Sequence, residues 1–228
     1  MAVAHGFGKI ASRNIIFALD AVDNNSYPGS GTTWYDISGR GHNATLVNAV
    51  PGDKVIVFDG TDDYADVNYS GANESDFYPS SFTLAAMAKQ TSALNNDTWL
   101  FDHDYVGYRI WGGDNVPFMA RGPSTSWETS TNYTFTINQW YYVAATMVDN
   151  GTTDNVKVYI NGALYSTHSF GVKNFAYNSS AGYRFRIAAH WGSGNERPFH
   201  IGAMHMYNRA LSANEVLMNY NHYKTRYS

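Results

Sequence analysis

Paired carboxylates are the first chemistry to look for among these side chains. Hydrolysing a glycosidic bond takes two carboxylates about 5–9 Å apart, one protonated and one ionised. The chain has only four glutamates, at 74, 128, 196 and 215. Asp102 and Asp104 share one face of any strand that contains them, but Leu100 and Val106 on the same face are not acidic. No catalytic residue is assigned, and the expectation is a protein that binds and does not catalyse.

Binding is better furnished. Aromatic rings stack on the apolar faces of pyranoses, while a few convergent polar groups take the hydroxyls. Tyr105, Tyr108, Trp111, Asp114 and Asn115 cluster around one turn. Trp127 lies in a loop of Gly, Pro, Ser and Thr, and Trp191 with Asn195 lies in another. These eight are the candidate carbohydrate-binding residues. Trp34, Trp99 and Trp140 are assigned to the core, because apolar cores also use tryptophan.

Metal chemistry has one candidate. Asp59, Asp62 and Asp63 are hard oxygen donors in a turn that contains Gly60, which suits calcium. The same residues also serve to cap a turn through its own backbone. Asp102, His103 and Asp104 read as a hydrogen-bonded loop, since alternation throws the histidine to the opposite side. The eight histidines show no helical metal spacing. No cofactor is required by this reading, and calcium is the one the residues suit.

These groups need a scaffold, and the scaffold reads as all-β. Aromatics make up 16% of the chain and fall, with Val, Ile and Thr, in short runs punctuated by Gly, Asn, Asp and Ser. Strands are predicted at residues 14–20, 54–58, 81–89, 139–148, 155–161, 183–190 and 198–207. Val156, Val158 and Ile160 alternate with Lys157, Tyr159 and Asn161, and Asn161-Gly162 then supplies the two positive φ angles of a type I′ hairpin. The run from Trp140 to Ala145 is apolar on both faces, as in a central covered strand. One helix is predicted over residues 213–220. Ser212 and Glu215 form its capping box, and Leu211 and Val216 its hydrophobic staple.

Composition limits the partners. A net charge of −4 with scattered Lys and Arg lacks the clustered basic face of a nucleic-acid binder. There are no cysteines, which excludes disulfides and thiolate chemistry. No apolar run reaches the roughly 18 residues of a membrane span, and the first residues lack the apolar core of a signal peptide. The expected organisation is an N-terminal arm at 1–13, one sandwich at 14–220 and a tail at 221–228, with nucleic acid and membrane excluded as partners.

Several phrases then carry a resemblance. Leu19-Asp20-Ala21, the stretch SYPGSGTTWYDISG at 26–39 and HNATL at 42–46 come first. VFDGTDDY at 57–64, QWYYVAAT at 139–146, VYING at 158–162 and YNRALS at 207–212 with Glu215 follow in the same order. Together they resemble concanavalin A-like lectin/glucanase domains of the laminin-G kind over roughly residues 14–220. The resemblance implies a jelly-roll sandwich of two antiparallel sheets with one short C-terminal helix. The Glu-x-Asp-x-Glu strand of the glucanase relatives is missing here. So is the acidic Ile-Asp-Glu pattern that often accompanies calcium, since Ile201-Gly202-Ala203 stands in its place.

The opening at residues 26–34 is similar to versions found in tailed-bacteriophage virion proteins. That implies a virion structural protein, such as a capsid decoration, tail or fibre component, with other virion proteins and copies of itself as partners and host-surface glycans as a further contact. The alternatives are a free carbohydrate-binding lectin assisted by calcium and, third, a glycoside hydrolase.

Overall fold

The computed structural model describes residues 10–67, 74–93, 99–103, 107–112, 115–122, 126–173, 185–189 and 196–227. The first half of the chain forms β1 (Ile15–Asp20), β2 (Thr33–Trp34), β3 (Ala44–Val47), β4 (Val50–Gly52), β5 (Val55–Asp59), β6 (Tyr64–Val67) and β7 (Phe82–Gln90). Next come β8 (Trp99–His103), β9 (Gly107–Gly112), β10 (Val116–Arg121), β11 (Glu128–Thr129) and β12 (Tyr141–Asp149). The chain closes with β13 (Thr153–Ile160), β14 (Ala163–Gly171), β15 (Phe185–Ile187), β16 (Pro198–Tyr207) and helix α1 (Ala213–Lys224).

The strands make two antiparallel sheets, a jelly-roll sandwich. The first runs β14-β13-β12-β7-β16-β5-β4, with β1 paired beside β5 on the outer half of β16. The second runs β11-β10-β9-β8-β15-β6-β3-β2. Alternate residues of each strand meet between the sheets, where Phe17, Phe58, Phe82, Phe101, Phe118 and Trp34 are fully buried. As expected, β12 is central and buried from Tyr141 to Met147. The 161–162 turn is a type I′ hairpin, with φ of 50° at Asn161 and 79° at Gly162.

A second apolar cluster lies on the outer face of the first sheet, under α1. Val216 and Tyr223 of the helix pack there against Tyr142, Tyr159 and Tyr207. The capping box forms as predicted, Ser212 Oγ accepting from Glu215 N–H while Glu215 accepts from Ser212 N–H. The helix runs one turn past the expected residue 220, because Tyr223 is buried with its hydroxyl 2.8 Å from His205 Nε2. The expected tail is therefore docked, with Arg226 paired to Asp20 at 2.8 Å and Tyr227 buried. Its seat needs Gly202, where a Cβ would lie 2.3 Å from the Tyr227 ring. The expected arm is docked at its inner end, where Ile10 and Ala11 are buried and Ala11 N–H donates to Asn219 Oδ1.

Candidate functional site

The second sheet has one face in the core and one outside, and its outside face carries the candidate site. Ala65, Val67, Phe185, Ile187, Tyr108 and Ile110 point inward. By the two-residue period, Tyr64, Asp66, Arg186 and Arg109 point outward. Pairing then sets them side by side. Asp66 is opposite Arg186, Arg186 opposite Asp102, and Asp102 opposite Arg109. At the spacing of neighbouring strands this row of alternating acidic and basic positions spans about 14 Å.

Aromatic rings flank the row at both ends. Arg186 Nε donates to Asp66 Oδ1 at 2.8 Å, and its guanidinium lies 4.4 Å from the Tyr64 ring centre. At the other end the Arg109 guanidinium sits 4.2 Å from the Trp127 ring centre and 5.6 Å from that of Trp99. Such stacking fixes both arginines in place while their N–H groups keep a fixed fork. Trp99 can lie flat here because its strand partner is Gly112, whose missing Cβ leaves room for the indole. The result is an outward face on which Tyr64, Asp66, Arg186 and Trp127 are half-buried and reach solvent, while Arg109 (6% exposed) and Trp99 (3%) are packed beneath Trp127 as its support.

The candidate sugar-binding residues fare differently from one another. Trp127 is half-buried and belongs to this surface. Asn115 is exposed in a turn with φ of 59°, and its carbonyl accepts from Tyr133 N–H. Tyr108 and Trp111 must be corrected, because both are fully buried between the sheets and have no face to offer a ligand. Trp111 reaches the core through a positive φ of 49° that turns it inward, where it stacks on Phe135 and donates to Gln90 Oε1. Tyr105, Asp114, Trp191 and Asn195 lie outside the described residues. Of the tryptophans expected in the core, Trp34 is there. Trp99 is buried but on the outer face of the second sheet, while Trp140 is a half-buried residue of the first sheet's outer face, 4.5 Å from Tyr227.

The row itself was missed because Tyr64, Arg109 and Arg186 are far apart in sequence. Its local signal was present as single charged residues between apolar neighbours, Phe185-Arg186-Ile187 and Tyr108-Arg109-Ile110.

Carboxylates elsewhere have structural occupations. Glu215 chelates Arg209 through both oxygens, which with the Ser212 contacts holds its pKa down at about 2. Glu128 pairs with Lys173 and accepts from Gly171 N–H. Asp154 accepts from Lys173 N–H, and burial pushes its carboxyl up. Asp154 and Lys173 are each only 1% exposed, so this group joins the sheet edges without room for a substrate.

Asp59, Asp62 and Asp63 do converge, with one oxygen from each within 4.8 Å of the others. Burial of Asp63 raises its pKa against the hydrogen bond from Asp59 N–H, and the Asp59 and Asp62 charges add to the rise. A divalent cation would relieve that crowding. The donors suit calcium in kind and supply fewer than the six to eight ligands it takes, so carbonyls or water would complete the shell. Two of the oxygens already cap the turn, Asp63 Oδ2 accepting from Asp59 N–H and Asp59 Oδ1 from Thr61 N–H.

Two facing antiparallel sheets, a docked helix and an outward polar and aromatic face define a lectin-like sandwich. The model of the concanavalin A-like lectin/glucanases superfamily, in its laminin G form, matches residues 59–217, well over half of the chain, and the chain belongs to that superfamily. No curated protein matches it. Among solved structures it is similar to the binding domain of botulinum neurotoxin serotype D, with a TM-score of 0.70 and 14% identity, covering 92% of this chain and 52% of that one. The binding domain of Paraclostridial Mosquitocidal Protein 1 gives 0.68 and 19%, covering 93% and 53%. Trypanosoma rangeli sialidase gives 0.64 and 16%, covering 92% and 33%. The chain thus spans about half of each binding domain and a third of the sialidase, and at these identities the likeness is one of fold.

Proposed function

We propose that the chain is a non-enzymatic, lectin-like module that holds saccharides on the outward face of its second sheet. The observation that carries this is the Asp66–Arg186 pair beside Tyr64, with half-buried Trp127 stacked over Arg109 on the same outward face. Charged groups fixed by stacking can take hydroxyls without paying much ordering entropy. The likeness to the binding domains of a botulinum neurotoxin and a mosquitocidal protein, and to a sialidase solved with sialic acid, supports the same reading. Calcium at Asp59, Asp62 and Asp63 would act as a structural brace beside β6, not as part of the saccharide contact.

The setting we propose is a virion, where the module serves as a capsid, tail or fibre component, assembles with copies of itself and touches host-surface glycans. The phrase at residues 26–34 favours that setting. A glycan array with the purified chain tests the binding, and incubation with β-glucans tests for released reducing sugar. Saturable binding without hydrolysis supports the proposal. Release of reducing sugar, or an empty array, counts against it. Light scattering and co-sedimentation with phage particles test the setting, which fails if the chain is monomeric and stays in the supernatant.

A further inference from the structure

The outer face of the first sheet is covered by α1 and the docked C-terminus only in part. Beyond Tyr227 the face opens, and register places Val57, His200 and Lys89 in one row across β5, β16 and β7. Trp140, just before β12, closes the row. Two clefts of about 560 and 650 Å³ adjoin here, sharing Trp140 and Tyr227 as a common wall. Both fall within the roughly 300–1,000 Å³ of small-ligand clefts.

The charge of this region is opposite to that of the whole protein. The chain carries a net −4 and has only six lysines, yet Lys54, Lys89 and Lys224 all line these clefts. None of the three forms an ion pair among the described residues, whereas Arg226 beside them is neutralised by Asp20. One carboxylate, Asp53, shares the space. Lys89 stands 5.4 Å from the Trp140 ring centre, so its ammonium is held at the cleft wall and not swung into solvent. Amide side chains of Asn138, Gln139 and Asn161 line the far side and add donors and acceptors.

Uncompensated cations, an indole wall and amides in one concavity select an anion that is also rich in hydroxyls. We propose that this cleft is a second binding site, for an acidic saccharide whose carboxylate or sulfate groups sit between Lys54 and Lys89 against Trp140. A short acidic peptide would satisfy the lysines and the amides but brings no pyranose face to lie against the Trp140 indole. A flat anionic membrane would meet the cleft rim and not its floor. The site is independent of the sheet face described above, since it lies on the other sheet and uses none of its residues.

The test is calorimetric titration of the full chain with oligogalacturonate as the carboxylated probe, a heparin-derived oligosaccharide as the sulfated one, and maltooligosaccharide as the neutral control. Lys54→Gln/Lys89→Gln is the main variant, because Lys54 is exposed, Lys89 is half-buried and neither is ion-paired among the described residues, so their replacement should change the thermal midpoint little. We expect at least one acidic probe to bind, the double variant to weaken it tenfold or more, and Arg186→Ala on the other sheet to leave it unaltered. Whichever probe responds says whether carboxylate or sulfate is the group recognised. Trp140→Ala, with folding checked by circular dichroism, should weaken the same probe. The proposal is overturned if neither acidic probe binds, or if the double variant binds as the wild type does. It is also overturned if polyglutamate or anionic vesicles bind as tightly as the sugars.

Discussion

Acid should loosen the helix side of this protein through a single histidine. His205 is 1% exposed beneath α1, its Nε2 meets the Tyr223 hydroxyl, and its Nδ1 has no hydrogen-bond partner among the described residues. Burial, with the nearby His222 and Arg226 charges adding, pushes its pKa down to about 3. In the unfolded chain it returns to about 6.5. Between those values the unfolded state binds the extra proton, so stability is full above pH 6.5 and falls as pH is lowered towards 3. Each pH unit is worth about 1.4 kcal/mol, so moving from pH 6.5 to 5 should remove about 2 kcal/mol, above the range where most carboxylates titrate. Urea unfolding followed by tryptophan fluorescence at pH 7 and pH 5 should show the midpoint falling by about 1 M. His168 and His200 are shifted down by burial too and act in the same direction. The His205→Gln variant isolates this histidine's contribution, because it keeps an amide for Tyr223 but cannot titrate. It should lose clearly less stability over the same interval. Equal losses in wild type and variant would refute the reasoning.

Three further outcomes are expected. Trp111→Ala should cost about 3–5 kcal/mol in denaturant unfolding, as for any large buried ring, whereas Trp127→Ala should cost about 1 kcal/mol or less; similar costs would mean the two residues are wrongly placed. Gly202→Ala sets a Cβ against the Tyr227 ring and should destabilise by about 1–3 kcal/mol while making the C-terminus sensitive to carboxypeptidase, and an unchanged digestion rate would speak against the docked tail. Calcium at 100 times its Kd should stabilise by about 2.7 kcal/mol, read as a rise of about 5–10 °C in thermal midpoint that Asp63→Asn abolishes. No rise on adding calcium would leave the three aspartates as a turn cap alone.

The fold was readable because its signals are local. The alternation through residues 156–160, the Asn161-Gly162 turn and the Ser212-Glu215 capping box each depend on neighbours within a few residues, and each is present. The last turn of α1 was not readable. Asn221-His222-Tyr223-Lys224 has the polarity of a loose tail, and only the seat beside His205 reveals Tyr223 as a core residue. Aromatic residues near a turn were equally ambiguous. Nothing in the local sequence says that Trp111 turns inward through a left-handed backbone while Trp127 stays at the surface. The surface row was hidden for a different reason. Tyr64, Arg109 and Arg186 become neighbours only through the pairing of β6, β15, β8 and β9, which no short window contains.

The most direct test of the account is calorimetric titration of the saccharide that scores highest on a glycan array into wild type, Arg186→Ala and Trp127→Ala. The account predicts saturable one-site binding by the wild type and a tenfold or greater loss in each variant, with thermal midpoints showing both still folded. Wild-type affinity in both variants would contradict it and remove the outward face of the second sheet as the binding surface.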